Sequence, residues 1–258
     1  MEDYSNLRMP ALFIGHGSPM NAIEKNPFTD SLSVLGSSFE IKPRAILVIS
    51  AHWLTKGSYV FTRANPEQIY DFYGFPQALF EVKYPAIGSP DFARKTIELS
   101  NDIKEDNSWG IDHGSWAVLK HLFPNADIPV FQLSIDFGKP LRYHFDLGQK
   151  LASLRDQGVL IIGSGNIVHN LRMVYAQSAP YEWAAVFDEW VKNKIDKRDF
   201  NSLINYETQG SEAKLAVPTT DHYIPLLYTL ALAEKNENIT YTYEEIQTSL
   251  SMRCFKIS

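Results

Sequence analysis

Only one cysteine, Cys254, occurs among the 258 residues. An intrachain disulfide and any zinc site built on thiolates are therefore excluded, and a bound metal would rest on histidine and carboxylate. Long apolar runs are missing as well. The longest, such as Ala45 to Ile49 and Val159 to Ile162, fall far short of the roughly 20 residues a bilayer-spanning helix needs. The start of the chain, Met1 to Pro10, carries Glu2 and Asp3 and has neither a basic lead nor an apolar centre. It does not read as a secretory signal, and the expected location is the cytoplasm. Nor is there a surplus of positive charge, since 24 Lys and Arg face 30 Asp and Glu for a formal net charge of −6. A protein that grips phosphate backbones shows the opposite balance or a basic block, so nucleic acid and anionic membrane are not expected partners.

Common catalytic signatures are absent too. Gly138-Lys139 is followed by Pro140 and makes no P-loop, and neither a G-x-S-x-G elbow nor an H-E-x-x-H pair occurs. Gly163-Ser164-Gly165 opens like a dinucleotide fingerprint, but Val168 stands where the third glycine belongs.

What is present is an ordinary globular composition, 45% hydrophobic and 21% charged. Short aliphatic runs end abruptly in Gly, Ser or His: Ala11 to Ile14, Ala45 to Ser50 and Val159 to Ile162, with Ile128 to Ile135 and Met252 to Ile257 as further candidates. Such runs are the pattern of buried strands. Helical periodicity falls between them, over Asp91 to Ile103, Ser115 to Phe123, Leu141 to Arg155, Glu182 to Ile195 and Asp221 to Glu234. In the third, Leu141, Phe145, Gly148, Leu151 and Arg155 share one stripe. The alternation implies an α/β protein with a central, mainly parallel or mixed sheet and helices on both faces. No repeat, low-complexity tract or linker divides it, so one domain over residues 1–258 is expected.

The seven histidines carry the chemistry. His16 lies in Gly15-His16-Gly17-Ser18-Pro19, where small neighbours would leave its ring accessible. His52 follows the run ending Ile49-Ser50-Ala51, His169 lies just past the run ending at Ile162, and His222 sits in Thr219-Thr220-Asp221-His222, which reads as a helix N-cap. His113 lies in a loop before a helix. A lone loop histidine is most often a surface or turn residue, but several at strand ends occupy the place where α/β proteins bind ligands. His121 and His144 lie within helical patterns and read as packing or surface residues. The aromatic stretch Tyr70 to Phe80, continuing to Tyr84, is either a wall for a flat ligand or a loop packed on itself. Asn166 and Asn170 either orient His169 or satisfy turn backbone, and Cys254, with no activating neighbour, reads as core.

Taken in order, His16-Gly17-Ser18-Pro19-Met20, Ser50-Ala51-His52-Trp53, Asp71-Phe72-Tyr73-Gly74-Phe75-Pro76, Asp112-His113-Gly114, Gly163-Ser164-Gly165-Asn166, Val168-His169-Asn170 and Pro218-Thr219-Thr220-Asp221-His222 resemble the class III extradiol ring-cleavage dioxygenases, specifically the 4,5-DOPA extradiol dioxygenase group. The resemblance extends from about Pro10 to Leu230. It implies a non-haem Fe(II) enzyme acting on a catechol and O2, with His16, His52 and His222 as metal ligands. His169 would be a catalytic acid/base and occasional fourth ligand, and His113 a group lining the pocket. Many members of the broader class have Glu where this chain has His222. A neutral ligand there leaves the site more positive and makes a Zn(II)-filled isolated form easy to envisage. The same histidines would also suit a zinc hydrolase, and a binding protein without turnover is the third reading.

Overall fold

A computed structural model describes residues 8–258 of the chain. The reading of the N-terminus as lacking a secretory signal falls largely on residues 1–7, outside the described part. Among the described residues ten strands occur in chain order: β1 Ala11–Gly15, β2 Ala45–Thr55, β3 Ser58–Val60, β4 Ile103–Glu105, β5 Val130–Asp136, β6 Val159–Gly165, β7 Ile239–Tyr243, β8 Ile246–Gln247, β9 Leu250–Ser251 and β10 Cys254–Ile257. Eight build one sheet in the order β4-β3-β5-β2-β6-β1-β10-β7, while β8 and β9 pair separately. The centre, β5-β2-β6-β1, is parallel; β3 joins β5 and β10 joins β1 antiparallel. The central strands are the aliphatic runs of the sequence, buried along nearly their whole lengths. Each such side chain removed from water contributes about 1.5–3 kcal/mol.

Helices cover both faces, as the alternation of side chains along β6 shows. Gly163 and Gly165 abut the segment around Pro225, at the start of the helix Ile224–Ala231. Between them, Ser164 donates to the Gly114 carbonyl on the opposite side, in the helix His113–Leu122. The helix Leu141–Arg155 packs beside Ile224–Ala231. Its stripe is as expected, and Arg155, buried at the stripe's end, is neutralised by Glu237 at 2.5 Å and donates to the Met9 and Leu232 carbonyls.

Several boundaries differ from the expectation. β6 runs on from Ile162 to Gly165, and the helix expected over Ser115 to Phe123 starts at His113, which is helical rather than in the loop before it. The helix placed over Asp91 to Ile103 stops at Glu98, and Ile103 opens β4. The helix placed over Asp221 to Glu234 is Ile224–Ala231, with Tyr223 rather than Asp221 at its cap. β2 runs through His52 to Thr55 instead of ending before it. Its pairing with β5 jumps from Ile49↔Leu133 to Leu54↔Ile135, five steps against two. This bulge takes Ser50–Trp53 off the β5 ladder, Ser50 staying paired with Ser164 of β6, and turns His52 toward the sheet's carboxyl edge. Among the described residues no helix is long and apolar enough to cross a membrane.

Candidate active site

The strand registers bring the histidines together. Gly15 of β1 lies opposite Gly165 of β6, and Ser164 opposite Ser50 of β2. The residues that follow therefore leave the sheet at one level, outside the carboxyl ends of its parallel strands. His222 joins them from the segment before its helix. Its carbonyl accepts the Asn166 N–H at 2.8 Å, an approach that depends on Gly165, since a Cβ there would lie 2.2 Å from that carbonyl oxygen.

The rings of His16, His52 and His222 form a nearly equilateral triangle, with centroids 5.1, 5.3 and 5.1 Å apart. His16 Nε2 and His52 Nε2 are 3.2 Å apart. Each outer nitrogen faces a partner. Ser164 gives its one hydroxyl proton to the Gly114 carbonyl at 2.5 Å, so it accepts from His16 Nδ1 at 3.0 Å, and His16 Nε2 is left as a bare lone pair. Asp221 accepts from His222 Nδ1, and Asp71 Oδ2 lies 3.2 Å from His52 Nδ1. The donor set fits a divalent metal: ligand nitrogens about 2.0–2.1 Å from one ion, at ordinary bond angles, lie about 3.0–3.4 Å apart. Outer-nitrogen partners of this kind fix the tautomer of metal-bound histidine. Two further donor groups overlap this one, His52-Asp71-His113 and His169-Asp221-His222. In both, the carboxylate is already committed to the outer nitrogen of a triangle member, so the triangle is the better seat for an ion.

Burial and the neighbouring imidazoles hold His16 and His52 well below the ordinary histidine range, neutral as ligands must be. Burial works to raise Asp221, yet the hydrogen bond from His222 and a second from Thr219 bring its carboxyl well below the usual range. The anion missing at position 222 thus stands one bond further out, and the extra positive charge expected of a histidine there is largely offset. Asp221 acts through His222 rather than as a helix cap.

His16 is 4% exposed, buried rather than accessible as its small neighbours suggested. His169 stacks on His222 with centroids 3.4 Å apart and planes 5° from parallel. Burial, then the proximity of His222, lowers its pKa to about 3. Its backbone is pinned, with the N–H bonded to the Ala216 carbonyl and a bridge to Leu250, so any movement belongs to the side chain alone. His113, the first residue of its helix, lies 4.0 Å from His52 between ring centroids. All five expected histidines share one site. His121 and His144 stay outside it, bonded to the Asn21 carbonyl and the Tyr228 hydroxyl respectively.

Of the paired alternatives, the asparagines serve backbone: Asn166 Nδ2 donates to Ser251 O and Asn170 Nδ2 to Leu215 O. Cys254 is core, its thiol pushed up to about 12 by burial. The aromatic stretch packs on itself beside the histidines. Tyr70, Phe72, Phe75 and Phe80 pack on one another, and Phe72 meets the His113 ring edge-on at 5.5 Å. Tyr84 instead anchors to the Phe123 carbonyl. The residues that sequence reasoning missed are Ser164 and Asp71. Both stood inside quoted motifs, but no spacing links either to the histidine it serves.

Comparison with known proteins agrees with this geometry. The family model described as the catalytic LigB subunit of aromatic ring-opening dioxygenase matches residues 10–252. A protein of Escherichia coli K12 named 4,5-DOPA dioxygenase extradiol is 47% identical, over 98% of this chain and 96% of that one. A Beta vulgaris protein of the same name is 40% identical over 87% of each. The crystal structure of an uncharacterized Escherichia coli K12 protein, 43% identical, superimposes with a TM-score of 0.84 over 97% of this chain and all of that one. With the match reaching from the first strand of the sheet almost to its last, the chain belongs to the LigB family of aromatic ring-opening dioxygenases.

Proposed function

We propose that this chain is a non-haem Fe(II) dioxygenase that opens the ring of a substituted catechol beside the diol, with a DOPA-like compound as the substrate class its named relatives suggest. The observation that carries the reading is the triangle of imidazoles, each with its outer nitrogen facing a hydroxyl or carboxylate oxygen. His16, His52 and His222 would hold the metal through Nε2. A redox-active ion there supplies the place where catechol and O2 meet and the electron transfer between them, which zinc does not.

The remaining residues manage protons and position. Catechol must lose a proton on binding, and the opened product takes one back. His169, stacked on His222, would accept and return it, and His113 would contact a substrate oxygen. Phe72 and its aromatic neighbours give the flat ring an apolar wall and keep water from the reacting face.

The test loads the protein with Fe(II) under anaerobic conditions, adds a panel of catechols including DOPA, and then admits O2. A yellow ring-opened product is expected. O2-independent ester hydrolysis would favour a zinc hydrolase instead, and saturable catechol binding without product a binding protein. Zinc-loaded, iron-free protein should be inactive, and full ring cleavage by such a sample would overturn the Fe(II) assignment.

A further inference from the structure

We infer that Asp71 is a positioning residue for two histidines at once, turning His52 toward the metal and His113 toward the substrate through a single carboxylate. The inference rests on the metal-centre reading above and adds a residue to it.

Three donors converge on this side chain. Asp71 Oδ1 accepts the His113 backbone N–H at 2.9 Å and lies 2.9 Å from His113 Nδ1, while Oδ2 lies 3.2 Å from His52 Nδ1. The two ring contacts are ion-contact distances rather than aligned hydrogen bonds. Asp71 Oδ2 and His113 Nδ1 are buried and have no aligned hydrogen-bond partner. Buried polar atoms are normally paired, so each takes its nearest neighbour, Oδ2 the His52 ring and His113 Nδ1 the Asp71 Oδ1. The nearby carboxylate cannot take over, because Asp112 Oδ1 is engaged by Ser50 at 2.7 Å and Ser115 N at 3.2 Å, and its Oδ2 by Gln132 at 2.7 Å and Trp109 at 3.2 Å. The Asp71 segment is itself held: Gln68 bridges Ile111, and Ile69 N–H donates to the Ile111 carbonyl at 2.8 Å.

The chemistry follows from counting acceptors. A carboxylate offers two oxygens and about four lone-pair sites, enough for all three donors. With both Nδ1 protons drawn to Asp71, both Nε2 atoms present a lone pair, that of His52 to a metal and that of His113 to a substrate hydroxyl, from which it accepts. An asparagine has one oxygen and presents its NH2 to whichever imidazole that oxygen does not serve. One ring must then lose its partner and its tautomer.

Zn(II) alone is the binding probe, titrated against a chromophoric chelator. Asp71→Asn is expected to bind zinc about 10–100-fold more weakly than the wild-type protein, with Asp71→Glu recovering most of the loss. Iron-saturated Asp71→Asn should lose more in kcat than in KM for catechol, because the metal is present but one of the two rings is misdirected. Circular dichroism and thermal melting of the metal-free variants check the fold. Should the asparagine variant not fold, Asp71→Ser, which keeps an oxygen for the His113 N–H, replaces it. Zinc affinity within twofold of wild type in a folded Asp71→Asn or Asp71→Ser, or equal losses in the asparagine and glutamate variants, would overturn the inference. If wild-type protein opens no catechol, the dioxygenase reading falls and the zinc titration still decides the role of Asp71.

Discussion

At Ser164 one hydroxyl decides which nitrogen His16 turns to the centre. It has a single proton, spent on the Gly114 carbonyl, and so can only accept from His16 Nδ1. Ser164→Ala keeps the size of the site and removes that acceptor. We expect zinc affinity to fall about 10-fold or more with little change in fold; unchanged affinity by chelator competition would show that the serine does not hold the tautomer. His169 answers to a different measurement. Its stacked ring lies beside the triangle rather than in it, so His169→Gln should keep most iron and still bind catechol, yet lose about 10²–10⁴ in rate. Metal lost in parallel with activity would make His169 a structural ligand. Normal turnover with full iron would remove it from proton transfer and leave His113 as the carrier.

At the scale of elements, the glycines of β6 mark where two backbones meet. Gly163-Ser164-Gly165 has no dinucleotide role; its last glycine leaves room for the His222 carbonyl, and its serine faces the other side of the sheet. In Gly165→Ala the added Cβ, 2.2 Å from that carbonyl oxygen, must push the His222 segment away from β6. Overpacking of this kind costs about 1–3 kcal/mol. Metal content should fall further than in His169→Gln, and a variant with wild-type metal content would show that the segment gives way without moving its ring. Much of this architecture was legible in the chain. The four parallel strands and the histidines at their ends stood out because continuous apolar runs stopping at Gly or His are what a doubly covered sheet demands. The edge strands β4 and β7, and β3 beside β4, did not, being short or only half-buried. Asp221 was misread because Thr-Thr-Asp before an apolar run looks like a cap, whereas the carboxylate is taken by the neighbouring imidazole. Asp71 could not be assigned at all, since its link to His52 and His113 exists only once β2 bulges and the 67–71 segment lies against Ile111.

At the scale of the whole molecule, histidines buried without charge make stability depend on pH. His144 is suited to measurement because it lies outside the metal centre, on the helix Leu141–Arg155, with its Nδ1 3.2 Å from the Tyr228 hydroxyl. Burial lowers its pKa to about 4, against an ordinary histidine value of about 6.5 in the unfolded chain. Between those two values the unfolded state holds the proton and the folded state does not. Acid therefore favours unfolding, and stability is lost as pH falls from about 6.5 toward 4. Within that window one such group contributes a slope approaching about 1.4 kcal/mol per pH unit, on the order of 3 kcal/mol in all. Urea unfolding of metal-free His144→Gln between pH 7 and 5 should give a shallower pH slope than the wild-type protein by up to that amount, whatever the variant loses at neutral pH through the Tyr228 contact. Parallel slopes in the two proteins would mean that His144 takes up its proton in the folded state as easily as in the unfolded one, and that its burial is relieved by solvent.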